Sequence, residues 1–308
     1  MITILVVEDS NVVREFLVEL LNAEPDMQVI GTANNGEAAL EAVRYYRPDV
    51  ITMDIHMPKM NGLEATQRIM EQHPTPIVIV SGSEDPREVA TTFDAMDAGA
   101  LAVLPRPVGI GHPQHEDTRS EFVQTVKLMS EVKVVRRWPR ARPAALVQQG
   151  KAGLAEQLAQ IRIVAIGAST GGPAVLQTIL SALPKDFPAP ILIVQHMSPG
   201  FIPGFIDWLA LSSALPLHIA THGERLSSGH VYMAPDGFQM KVLHDDRIAL
   251  TRDKPVNGLR PSVSYLFHSV AEIFAADAVA GLLTGMGRDG AEELRLLKEK
   301  GAVTFVQD

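Results

Sequence analysis

The chain has no cysteine. That excludes a disulfide framework, a zinc–thiolate site and thiol catalysis. No apolar run is long enough to span a bilayer, and the stretch from Met1 to Asp9 lacks the basic residues that open a signal peptide. Both absences predict a cytoplasmic protein with no direct membrane insertion. Positive charge is also short. Lys and Arg number 27 against 36 Asp and Glu, and the net charge of −9 argues against the whole chain binding nucleic acid. What the chain does have is apolar residues, 46% of 308, ample for packed cores. Its length suggests two domains.

From residue 1 to about 128, short apolar runs alternate with amphipathic stretches, as βα units do. Strands are predicted at Thr3–Val7, Met27–Ala33, Val50–Met53, Pro76–Val80 and Leu101–Leu104, with the clearest helices at Ser10 to Asn22 and Gly36 to Tyr46. The pattern predicts a five-strand doubly wound unit. Glu121 to Val135 reads as a helix. A basic, proline-broken run from Arg136 to Pro143 follows, then a polar stretch with Gln148, Gln149, Gly150 and Gly153. Its arginines suit nucleic acid or an acidic partner. Only Trp138 interleaves them, which favours a solvated linker.

The βα rhythm resumes at Arg162. Strands are predicted at Ile163–Gly167, Ala189–Val194, Leu217–Ala220, Val231–Ala234, Gln239–His244, Arg247–Leu250, Ala278–Thr284 and Ala302–Val306. Helices are predicted at Pro173–Leu183, Gly204–Ser213, Ser262–Ala276 and Asp289–Lys300, and a β-hairpin around Lys241–Thr251 with Asp245 and Asp246 in its middle. The division is residues 1–125, a helix end and basic linker over 126–160, and a second α/β domain over 161–308.

In a doubly wound sheet, functional groups gather at the carboxyl ends of the strands. Glu8 and Asp9 end the first predicted strand and Asp54 the third, so three carboxylates converge. Crowded like charges call for a cation, and hard oxygen ligands suit Mg²⁺. Ser81 follows the fourth strand with a hydroxyl, and Arg106 follows the fifth with positive charge. A single Asp at a strand end is usually a cap or a turn former. Five matched positions on one rim are harder to explain that way. Val6 to Ser10, Asp54 to Gly62 and Ser81-Gly82 resemble a response-regulator receiver domain over roughly the first 125 residues. The resemblance implies a (βα)5 flavodoxin-like fold and phosphorylation on Asp54. It also implies Mg²⁺ held by Asp9, Asp54 and the His56 carbonyl with Glu8 behind them, and Ser81 and Arg106 as phosphoryl-switch residues. Receivers normally carry Lys where this chain has Arg106, so a point-like ammonium becomes a planar fork.

In the second half, Ser169 follows an apolar run and precedes a helix start, in a setting rich in glycine (Gly167, Gly171, Gly172). A hydroxyl there lies beside the free N–H groups of a helix N-terminus, which suits a nucleophile. His196 follows the next strand, and Asp289 follows a third and opens a helix. Ser–His–Asp is the set needed to deprotonate a hydroxyl, carry its proton and orient the imidazole. The Ser169–Gly172 turn suits a plain N-cap or a phosphate-binding turn as well, a lone His is more often structural, and Asp289 sits where an N-cap belongs.

Gly167 to Pro173, Gln195-His196-Met197, Ala234-Pro235, Arg260 to Val263 and Leu283 to Gly290 resemble the catalytic domain of chemotaxis protein-glutamate methylesterases. The resemblance implies a Rossmann-like α/β domain, giving two doubly wound parallel-sheet domains in all. Its triad carries over to Ser169, His196 and Asp289, with Thr170 and the Met286 backbone N–H near the oxyanion. No cofactor is implied for the esterase itself. It implies hydrolysis of glutamate γ-methyl esters on chemoreceptor cytoplasmic helices with release of methanol, and deamidation of receptor glutamines in many members. It also implies a chemotaxis histidine kinase as phosphodonor and a monomer. Ser264 stands where the family usually has an acidic residue, and the chain ends at Gln307-Asp308, where similar proteins continue. Two other readings are a catalytically weak regulatory protein that binds receptor or kinase, and an esterase or amidase with another substrate.

Overall fold

The computed structural model describes residues 1–82, 86–134, 161–283 and 288–307, apart from the side chains of 86–91. The basic run at 136–143, the polar stretch after it, Val135 and Met286 lie outside the described residues. The chain divides into two compact units, Met1–Pro143 and Ala144–Asp308.

The first unit has five parallel strands: β1 (Ile2–Val7), β2 (Met27–Ala33), β3 (Val50–Met53), β4 (Ile77–Ser81) and β5 (Ala102–Pro105), in the order β2-β1-β3-β4-β5. Among the described residues, five helices connect or follow them: α1 (Asn11–Asn22), α2 (Gly36–Tyr46), α3 (Gly62–Gln72), α4 (Pro86–Ala98) and α5 (His115–Ser130). Ile4, Val6, Val78 and Val80 pack against Leu17 and Leu21 of α1 and Phe122 and Val126 of α5. Helices α2, α3 and α4 pack side by side over the other face. Covering both faces makes the strands read as continuous apolar runs. Strand order reverses between β1 and β3, so the crevice for function opens at their carboxyl ends.

Helix α5 begins at His115, not Glu121. Its first turns are polar and carry no apolar period; buried residues start at Phe122. Glu116 and Asp117 sit in the first turn, where carboxylates favour the helix dipole.

The second unit holds a six-stranded parallel sheet in the order β13-β12-β6-β7-β9-β8. Its strands are β6 (Ile163–Ala168), β7 (Ile191–Gln195), β8 (Leu217–Ile219), β9 (Val231–Met233), β12 (Ala278–Leu282) and β13 (Val303–Val306). The expected hairpin is β10 (Gln239–Val242) with β11 (Ile248–Thr251), Lys241 opposite Ala249. Helices α6 (Gly172–Ala182) and α7 (Phe201–Ala210) bury Leu176, Leu180, Phe205 and Trp208. Helices α8 (Val263–Ile273) and α9 (Ala291–Glu299) pack with the hairpin around Met240, Leu266, Phe267, Val270 and Leu297.

Two helix starts differ from expectation. Helix α7 begins at Phe201 rather than Gly204, with Pro203 inside its first turn. Proline is tolerated there because the first N–H groups have no intrahelical partner. Helix α9 begins at Ala291, and its N-cap is Gly290 at φ +87°, not Asp289. The Asp289 carboxylate is therefore free of its own helix. Helix α8 stops at Ile273 and a short 3-10 turn, Ala275–Asp277, follows. Among the described residues, no helix is long and apolar enough to cross a membrane.

Candidate active site and acidic pocket

In the first unit, Glu8 and Asp9 follow β1 and Asp54 follows β3, and one carboxylate oxygen from each lies within 4.8 Å of the others. Glu8 and Asp54 are buried, whereas Asp9 is exposed. Burial, then the neighbouring Asp54 charge, pushes the Glu8 carboxyl up to about 7, against the pull of Arg106. Burial also raises Asp54, against Arg106 and the Ile55 and His56 backbone N–H groups. Two carboxylates drawn toward protonation beside a third form an oxygen cluster that a hard divalent cation would stabilise, so the residues fit Mg²⁺.

Ser81 is the last residue of β4 and is buried. Arg106 follows β5, and its backbone N–H donates to the Ser81 carbonyl at 2.7 Å. Its Nη2 donates to Glu8 Oε2 at 3.0 Å. A Cβ at Gly82 would lie 2.9 Å from Arg106 Cζ, so the guanidinium lies across a surface that glycine leaves open. The His56 side chain points to solvent.

In the second unit, strand order reverses beside β6, placing the crevice at the ends of β6 and β12. Ser169 follows β6, His196 follows β7, and Asp289 lies beyond β12. The His196 N–H donates to the Ala168 carbonyl at 2.8 Å, extending the β6–β7 ladder by one bond. Buried Gln195 joins the two loops: its Nε2 donates to the carbonyls of Ser169 (2.9 Å) and His196 (2.8 Å). His196 Nε2 lies 3.1 Å from Asp289 Oδ2.

The sequence did not reveal what holds Asp289. Its carboxylate accepts from Ser262 Oγ at 2.7 Å, Val263 N at 2.6 Å and Ser264 N at 3.1 Å, which are the N-cap and first residues of α8. Asp289 thus caps a helix other than the one it precedes. Burial alone would raise its carboxyl. His196, the Ser262 hydroxyl and the two α8 N–H groups outweigh that and hold it well below the usual carboxylate range. Ser264 Oγ accepts from Gly290 N at 2.8 Å, clamping the turn behind Asp289. A Cβ on Gly290 would lie 2.5 Å from Val263 Cγ1, so the turn needs glycine for space as well as for its positive φ. Beneath this, Gln239 accepts from Ser262 N at 2.9 Å and donates to the Leu259 carbonyl at 3.0 Å. A serine before an apolar helical period marks Ser262 as a cap, but nothing local says which carboxylate shares its helix end. Thr170 is half-buried in the turn before α6.

Two doubly wound units, each with polar side chains at its strand ends, fit a receiver followed by an α/β catalytic domain. Residues 4–112 match the response regulator receiver domain, and residues 164–308 match the CheB methylesterase. A protein-glutamate methylesterase/protein-glutamine glutaminase of Nitrosospira multiformis is 66% identical over 100% of this chain and 87% of its own length. One from Geobacter metallireducens is 59% identical, over 100% and 89%. The crystal structure of the Thermotoga maritima CheB methylesterase catalytic domain is 38% identical, covering 47% of this chain and 78% of that one, at a TM-score of 0.46. The chain belongs to the protein-glutamate methylesterase family.

Proposed function

We propose that Ser169, His196 and Asp289 carry the chemistry of this chain. It is a phosphorylation-regulated protein-glutamate methylesterase and protein-glutamine glutaminase of bacterial chemotaxis. The observation that carries the assignment is the Asp289 carboxylate, fixed by three α8 donors and bonded to His196. Because Nε2 is turned to Asp289, Nδ1 is the ring nitrogen that serves the Ser169 hydroxyl. Ser169 Oγ attacks the γ-carbonyl carbon of the glutamyl methyl ester while His196 takes its proton. The imidazolium then protonates the departing methoxide, methanol leaves, and an acyl-serine remains. Water attacks that acyl group, giving its proton to His196, and glutamate and free Ser169 are restored. With glutamine, the leaving group is ammonia. Thr170, the α6 N-terminus and the Met286 N–H are assigned to the oxyanion.

Residues 1–125 form the receiver, 126–160 the connection and 161–308 the esterase. Asp54 takes a phosphoryl group from a chemotaxis histidine kinase. Asp9, Asp54 and the His56 carbonyl, with Glu8 behind them, would hold Mg²⁺, which supplies countercharge to the phosphoryl group. Ser81 and Arg106 then read that group. The unphosphorylated receiver restrains the esterase, whose substrates are cytoplasmic helices of chemoreceptors; the protein acts as a cytoplasmic monomer. A serine-directed fluorophosphonate should label Ser169 in the wild-type chain, located by peptide mass, and block methanol release. Equal labelling of Ser169→Ala would refute the nucleophile.

A further inference from the structure

The hairpin of β10 and β11 has two ends of opposite character. At its turn, Asp246 pairs with Arg162, which precedes β6 at the amino edge of the sheet. From its open end, residues 252–260 run back to the carboxyl edge, where Asn257 Nδ2 lies 3.5 Å from Asp289 Oδ1. This loop carries three exposed cations, Arg252, Lys254 and Arg260, and one acid. Among the described residues none of the three cations has an ion-pair partner, whereas the acid, Asp253, is turned to the Tyr265 hydroxyl.

Hydrogen bonds tie the loop to itself and to the site. The Arg260 guanidinium lies 3.4 Å from the Arg252 and Asp253 carbonyls and closes the loop on itself. Val256 and Leu259 exchange both backbone bonds. Buried Gln239 grips the Leu259 carbonyl with one end and the α8 cap with the other. Arg252 is stacked at 5.0 Å over the Phe238 ring, which holds its charge at the surface. Glu292 and Glu293 sit in the first turn of α9, so the cationic surface is this loop rather than the whole rim.

The chain carries a net charge of −9. The reaction turns a neutral ester or amide into a carboxylate, so the segment it acts on becomes more anionic on turnover. Such a segment is repelled by the chain as a whole and needs a local patch of opposite sign to seat it. We propose that the 252–260 loop is the docking surface for an anionic polypeptide segment, pairing Arg252, Lys254 and Arg260 with carboxylates that flank the glutamyl group at Ser169. The proposal rests on reading Ser169 as the methylesterase nucleophile.

The test is methanol release by the full chain from methylated receptor segments, followed against ionic strength. The wild-type KM should rise several-fold as salt screens the patch. Arg252→Gln with Lys254→Gln should raise KM roughly tenfold at low salt and flatten its salt dependence, with kcat little changed. The charge-keeping pair, Arg252→Lys with Lys254→Arg, should restore both. A wild-type KM indifferent to salt overturns the proposal whether or not the variants fold. So does an unchanged KM in the neutralised pair, or a fall in kcat alone, which would mean that the loop positions Asp289. Faster turnover of the neutralised, unphosphorylated chain also overturns it, because the cations would then be holding the receiver. Failure of the functional reading looks different: the wild-type chain releases no methanol at any salt.

Discussion

Both units place carboxylates at the carboxyl ends of parallel strands, yet the two sets are held in opposite states. Glu8 and Asp54 face each other and Asp9, and burial drives their carboxyls up. The Asp289 side chain is only 5% exposed too, but it faces a helix N-terminus, a serine hydroxyl and an imidazole, and stays ionised far into acid. Burial alone therefore does not decide a carboxylate's state; the donors around it do. The first arrangement leaves like charges crowded together, which a divalent cation from outside would relieve. The second is complete within the chain and serves a fixed histidine.

A large effect should come from removing that fixed charge, and a larger one from removing the histidine it serves. Asp289→Asn keeps the shape but cannot accept from every donor now aimed at the carboxylate. We expect kcat to fall on the order of 10²–10⁴-fold, less than the loss from His196→Ala, with methanol release as the assay. If Asp289→Asn hydrolyses ester at the wild-type rate, Asp289 does not orient His196.

Ser262→Ala removes one donor to the Asp289 carboxylate and the cap of α8 together. It should cost the second unit about 1.5–3 kcal/mol, measured by urea unfolding, and lower kcat less than Asp289→Asn does. A variant as stable as wild type would mean that the Ser262 hydroxyl neither holds Asp289 nor caps α8.

The two centres should also respond differently to pH. The Glu8 carboxyl lies above its ordinary 4.5, so the folded state keeps a proton that the unfolded chain gives up. The stability of the first unit should therefore fall as pH rises from about 4.5 to about 7, and Mg²⁺ should raise its Tm more at about pH 7.5 than at about pH 5. Asp289 is shifted down, so its stabilisation is present above the unfolded carboxylate range and is lost only as pH falls through its lower folded value. Across the same window its contribution should stay flat. Calorimetry that showed an equal Mg²⁺ effect at both pH values would contradict the acidic-pocket account.

The smallest effect should be at Gly82. Ala there would place its Cβ 2.9 Å from the Arg106 guanidinium and shift that group off Glu8. A weaker response to a small phosphodonor is expected, with turnover in its absence unchanged. An undiminished response would mean that the Arg106 position does not matter to switching.

How much of this was legible depended on whether the signal was local. The strands could be read because both sheet faces are covered, so Ile163–Ala168 and Ile191–Gln195 are unbroken apolar runs. The strand-end positions of Glu8, Asp54, Ser169 and His196 followed from that alone. The start of α5 was hidden because its first turns face solvent, and that of α7 because Pro203 reads as a breaker although the first turn tolerates it. Asp289 looked like the cap of its own helix. Its real partners, Ser262, Val263 and Ser264, are brought to it by tertiary packing of α8 against α9, which no local pattern records.

The central claim is that Asp54 governs chemistry performed at Ser169. The direct measurement is methanol release from methylated receptor membranes by the full chain, with and without a small phosphodonor and Mg²⁺, for wild type, Asp54→Ala and Ser169→Ala. The account predicts that the donor speeds the wild type, that Asp54→Ala keeps basal turnover but does not respond, and that Ser169→Ala releases no methanol above background in either condition. Donor-stimulated release from Asp54→Ala, or undiminished release from Ser169→Ala, would contradict it.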